Sequence, residues 1–175
     1  MDWPTPTRRR CIRRRTPKIP RAIQGLFGTA YDASGNQVLN GRDIHYSLIS
    51  TPPFTPPFVG IGTLPQDAPV LDQFRNLGFT NCPVGIYVFR MSFDLTGYNT
   101  ATASITLDLS CDDQTLDILL NGISTGGPLL WPYPKRRVIA SNFVPGVNIM
   151  DFNVYNMNFA MRLQVTIITS TATPL

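Results

Sequence analysis

Ile86-Tyr-Val-Phe-Arg-Met-Ser-Phe-Asp-Leu95 places Tyr87, Phe89, Met91, Phe93 and Leu95 at every second position, with Arg90, Ser92 and Asp94 between them. Successive side chains of a strand point to opposite faces, so this spacing predicts a half-buried β-strand with an aromatic inner face. Just downstream, Ala103, Ile105, Leu107, Leu109 and Cys111 alternate with Ser104, Thr106, Asp108 and Ser110, and the run stops at the turn-forming pair Asp112-Asp113. Cys111 is expected to face inward. Leu116, Ile118 and Leu120 predict a third strand that ends at the hairpin signal Asn121-Gly122, with a short strand around Ile123 after it.

The same period recurs on both sides. Met150, Phe152 and Val154, then Met161, Leu163, Val165 and Ile167, predict two C-terminal strands whose link, Asn156 to Ala160, is of hairpin length. Ile44, Tyr46 and Leu48 predict an early strand after a turn at Asp32 to Gly35. The stretch Thr51-Pro-Pro-Phe-Thr-Pro-Pro-Phe58 cannot pair centrally in a sheet and reads as a loop hugging an edge. No helical period lies between these runs. The expected fold is all-β: an antiparallel two-sheet β-sandwich of jelly-roll type.

A chain of 175 residues with 43% apolar residues supports one core without metals or disulfides. Charge divides it in two. Residues 1–24 carry Arg8, Arg9, Arg10, Arg13, Arg14, Arg15, Lys18 and Arg21 against Asp2 alone, a balance of +7; seven basic and ten acidic residues remain, so the body is −3 and the whole +4. Residues 1–24 therefore read as a basic, proline-rich extended arm and 25–175 as the sandwich domain. Cys11, Cys82 and Cys111 are odd in number and widely spaced, which is neither a disulfide framework nor a metal motif. They are expected reduced.

Pro17 and Pro20 follow the basic run, and Gln24, Gly25 and Gly28 interrupt the apolar stretch after it, so it does not read as a secretory leader. Pro4, Pro6, Pro17 and Pro20 would break the amphipathic helix of a mitochondrial transit peptide. No run reaches the ~18 apolar residues of a membrane span.

Several motifs together resemble galactose-binding-like jelly-roll modules of bacterial surface and secreted proteins. They are Tyr87-Val-Phe-Arg-Met-Ser-Phe-Asp-Leu-Thr-Gly97, Asp112-Asp113 leading to Asp117-Ile-Leu-Leu-Asn-Gly-Ile-Ser-Thr-Gly126, Phe143-Val-Pro-Gly-Val-Asn148 and Asn156. Upstream, Gly28-Thr-Ala-Tyr-Asp-Ala-Ser-Gly-Asn36 and His45-Tyr-Ser-Leu48 extend the likeness over nearly the whole body. Ala160-Met-Arg-Leu163 stands where such modules have Gly-Leu-Arg, so Arg162 alone carries over. The resemblance implies a carbohydrate-binding module using a loop end of the sandwich. An arginine-rich arm stands in place of a signal peptide, so location does not carry over.

Residue chemistry favours binding over catalysis. The one histidine, His45, is expected at a surface or loop contact, without the nucleophile and orienting partner that catalysis needs. None of the 11 acidic residues is Glu, and the Asp108, Asp112, Asp113 and Asp117 cluster lies in and beside a turn. It lacks a calcium-loop signature and reads as solvated turn carboxylates instead of a glycosidase pair or a cation site. No enzyme activity, cofactor or metal is expected. Trp131, Tyr133 and the adjacent Lys135, Arg136 and Arg137 form an aromatic, basic segment suited to a sugar ring or a protein neighbour, or simply packed over the sandwich end.

Six arginines within eight positions repel one another unless they meet an acidic partner. Three readings stay open. The first is a structural subunit, a minor capsid or capsid-decorating protein of a virion, made in the host cytoplasm, whose arm contacts neighbouring capsid proteins; jelly rolls and arginine arms occur together in virion shells, which is an analogy. The second is a carbohydrate-binding module contacting glycans. The third is a nonspecific nucleic-acid-binding protein acting through the arm.

Overall fold

A computed structural model describes residues 22–32, 34–39, 41–53, 64–71, 75–130 and 134–175. The described chain is all-β and antiparallel, with no helix. Its strands are β1 (Gly41–Ser50), β2 (Gln66–Val70), β3 (Leu77–Phe79), β4 (Gly85–Asp94), β5 (Tyr98–Asp112), β6 (Gln114–Leu120), β7 (Ile123–Ser124), β8 (Leu129–Leu130), β9 (Lys135–Ile139), β10 (Val147–Asn156) and β11 (Met161–Pro174). Hydrogen bonding joins them in the order β7-β6-β10-β4-β1-β2-β3-β11-β5-β9, with β8 also on β6.

Connection lengths show that this sheet is not flat. β4 and β5 are joined by residues 95–97 yet stand five places apart in the order. Flat, that separation would be about 24 Å, whereas the link reaches at most about 14 Å. Asp113 alone joins β5 to β6, seven places apart. The sheet therefore curls until its ends approach, and β10 lies against β5 and β11 as well as its bonded partners. For the same reason the link from β10 to β11 is not a hairpin: β10 pairs with β4 and β6, and β11 with β3 and β5.

The curl encloses one core. The inner faces anticipated for β4 and β5 are buried throughout, Cys111 included. Met150, Phe152, Val154, Met161, Leu163 and Val165 join them, while Ile167 is half-buried. Fully burying side chains of this size contributes about 1.5–3 kcal/mol each. Two large polar aromatics remain satisfied inside: the Tyr46 hydroxyl donates to the Phe27 carbonyl at 2.9 Å and that of Tyr87 to Pro83 at 3.0 Å.

Two strands depart from strict alternation. In β1 the pairing with β2 slips between Asp43 and Ser47, so Asp43 is buried and Ile44 is 55% exposed, although Tyr46 and Leu48 stay inside. In β6 the pairing with β10 slips at Asn153–Val154; Thr115 is buried and Leu116 only half-buried. In β1 residues 44–46 stand against none in β2, and in β6 Leu116 stands against none in β10; an odd excess reverses which neighbour faces the core. Gly78 meets a different constraint: a Cβ there would lie 2.0 Å from the Met161 carbonyl oxygen, so glycine lets β3 close on β11. Of the proline-rich stretch, 51–53 leave β1 without regular structure, and 54–63 lie outside the described residues.

Candidate functional site

The eight cations of the arm, Trp131 and Tyr133 lie outside the described residues. The chain enters the core at once where description begins: Ile23, two positions after Arg21, is 4% exposed. Gln24 and Gly25 then line an open groove of about 480 Å³ with Asp94, Tyr98 and Val147. The arm's last basic residue is thus followed almost immediately by a buried anchor.

Lys135, Arg136 and Arg137 open β9, the end strand beside β5. Arg136 faces Asp108 across the pair and grips it with a two-pronged contact, Nε and Nη2 each 2.8 Å from a carboxylate oxygen. That hydrogen-bonded guanidinium holds the Asp108 carboxyl below its usual range. Arg137 donates to the carbonyls of Thr125 at 3.1 Å and Gly127 at 3.0 Å, fastening the turn that follows β7. Lys135 is exposed. Arg136 and Arg137 are thus engaged within the fold, and among the described residues Lys135 makes no such contact.

The four clustered aspartates do not converge on one point, although Asp112 and Asp113 act on each other. Asp108 serves Arg136, and Asp113 accepts from the Met157 amide at 2.6 Å and Asn158 Nδ2 at 3.2 Å. Asp117 accepts from the Ile118 amide at 2.7 Å. Burial, reinforced by Asp113, pushes the Asp112 carboxyl up. Among the described residues no group of three or more His, Cys, Asp or Glu side chains is placed to hold a metal.

Folding also builds a polar cluster that sequence spacing does not reveal. His45 packs against the loop preceding β1, its ring stacked on Phe27 with centroids 3.9 Å apart. Its Nδ1 lies 2.9 Å from the Tyr31 carbonyl oxygen and 3.3 Å from Asp43 Oδ1. A carbonyl only accepts, so Nδ1 carries the proton. Asp43, wholly buried, accepts from the amides of Ala30 at 2.6 Å and His45 at 2.8 Å; burial pushes its carboxyl up against the pull of those bonds.

Tyr31 turns outward from this cluster to meet Arg75, whose Nη1 donates to the tyrosine hydroxyl and whose Cζ lies 5.6 Å from the ring centroid. Arg75 has a left-handed backbone, φ 66°, and its carbonyl accepts from Thr29 Oγ1 at 2.7 Å. Both residues border a cleft of about 370 Å³ with Leu26, Phe27, Val165 and Ile167.

Apolar side chains are exposed where β4 begins and β10 ends, which pair with each other. Val84, Ile86, Met157 and Phe159 are all exposed, Phe159 to 70%. Their backbone is tied down: the Cys82 amide donates to the Phe159 carbonyl at 3.0 Å, and buried Asn156 Nδ2 donates to the Pro83 carbonyl at 2.9 Å and to that of Asn158. No family model, curated protein or solved structure matches the chain.

Proposed function

We propose that this chain is a non-catalytic structural subunit of a virion shell, a minor capsid or capsid-decorating protein that acts by assembly. The observation that carries this reading is the division of charge at a single point. Eight cations end at Arg21, the core begins at Ile23, and the remaining chain is net negative. A strongly basic, proline-rich segment attached to a compact all-β body suits an element that reaches across to an acidic neighbour. Two further features support it. The curled sheet, with β10 lying against β5 and β11, fits a two-layer jelly-roll sandwich. The pinned patch of Val84, Ile86, Met157 and Phe159 is the kind of exposed apolar surface that subunit contact covers.

Full-length chain and a version lacking residues 1–21 would be mixed separately with the purified native particle and with single-stranded DNA, then followed by sedimentation and electron microscopy. The expected result is incorporation of the full-length chain at a fixed stoichiometry and its loss on truncation. A truncated body that binds a member of a glycan panel tightly would replace this reading with the carbohydrate-binding one. Full-length chain that stays monomeric throughout would overturn it.

A further inference from the structure

We infer that the cleft between Tyr31 and Arg75 is a binding site for a small organic monocarboxylate with an apolar body. This inference is independent of the assembly reading. The guanidinium is held in place: it donates to the Tyr31 hydroxyl, its Cζ lies 5.6 Å from that ring's centroid, and the Thr29 bond helps hold the backbone in a left-handed conformation uncommon for a long side chain. Strained backbone of this kind clusters at ligand clamps.

Among the described residues, no carboxylate forms an ion pair with Arg75. The two nearest in sequence to Tyr31 are committed elsewhere. Asp43 is buried under Ala30 and His45, and Asp32 accepts from the amides of Ser34 and Asn36, each at 2.8 Å. A guanidinium has five N–H donors and a flat edge that matches a carboxylate with two parallel bonds. The Tyr31 hydroxyl occupies one donor.

The walls decide the rest of the ligand. Leu26, Phe27, Val165 and Ile167 are apolar, and about 370 Å³ falls within the usual range of small-molecule sites, which are mostly apolar with a few oriented polar groups. Arg75 is the one charged residue among the described lining residues, and a single negative charge matches it. The acid is either a free molecule or the terminal carboxylate of a peptide, and the probes below separate these.

The full-length chain would be titrated at constant ionic strength with benzoate, benzamide, a short peptide ending in a leucine carboxylate and the same peptide as its amide, while amide NMR shifts are recorded. Benzoate, the peptide acid or both should give saturable shifts at Tyr31, Arg75, Val165 and Thr166, with the matching amide at least tenfold weaker. Arg75→Gln should weaken the bound acid at least tenfold, and Tyr31→Phe by less. The acid-to-amide comparison uses the unaltered protein, so a variant that fails to fold does not decide the matter. Acid and amide binding equally, shifts that never saturate, or a folded Arg75→Gln that titrates like the original would each sink the proposal.

Discussion

Asn148 sits wholly buried at the start of β10, where the chain turns out of Phe143-Val-Pro-Gly-Val. Its Nδ2 donates to the carbonyls of Val144 at 2.8 Å and Gly146 at 2.9 Å, and its Oδ1 accepts from the Val144 amide and Asn121 Nδ2, each at 2.9 Å. Asn121 in turn accepts from the Ile149 amide at 2.9 Å and takes the left-handed φ of 52° that its turn requires. Removing the amide strands buried backbone groups, so Asn148→Ala should cost about 2–3 kcal/mol, read as a lower urea midpoint with an unchanged slope. Titration supplies a second residue-scale expectation. Asp94 is held below the usual carboxylate range by the Thr96 hydroxyl and then the Thr96 amide, both bonded to Oδ1 at 2.7 Å. A depressed carboxyl contributes stability that is present above its ordinary value of 3.8 and is lost as pH falls through the lowered one. Asp94→Asn keeps an oxygen acceptor for both donors and removes the titration, so its stability should fall less steeply below pH 3.8 than that of the unaltered chain; parallel acid limbs would refute the assignment. Asn121-Gly122 was legible beforehand because its chemistry is local. Arg75 was not, since Tyr31 lies 44 positions away and no periodicity connects them.

At the scale of elements, legibility followed length where no bulge intervened; β1, also ten residues long, is the exception. β4, β5, β10 and β11 have ten or more residues each, enough for the period of two to declare the inner face. β3, β7 and β8 have two or three and carry no period. The bulges in β1 and β6 were invisible because an extra residue changes parity without changing composition. β1 offers the direct check. Tyr46, fully buried with its ring 5.9 Å from that of Phe152, should cost about 3–5 kcal/mol when cut to Ala. Ile44, which simple alternation would put on the same face, is outside, so Ile44→Thr should stay within about 0.5 kcal/mol. Equal losses in thermal or urea unfolding would restore the unbulged strand. Link length misled in the same way: residues 157–160 suit a hairpin, but a crossover of that length is equally possible once the sheet curls.

For the whole molecule, the question is what the arm meets. Its eight cations are opposite in sign to the net charge of the rest of the chain, so an acidic protein surface and nucleic acid are both electrostatically suitable, and salt separates them. Phosphates bound by Arg and Lys release condensed counterions, and on a single strand the logarithm of the binding constant falls with the logarithm of salt at a slope of roughly −0.7 per contact. If all eight cations engage, the slope approaches about −5 to −6. Fluorescence titration of full-length chain with a labelled single strand across a salt series gives this number directly. A steep slope, abolished when residues 1–21 are removed and indifferent to base sequence, would make nucleic acid the arm's partner. A slope near −1 would favour a protein partner, and under the proposed assembly reading incorporation into a particle would then depend on the arm even when nucleic acid is absent.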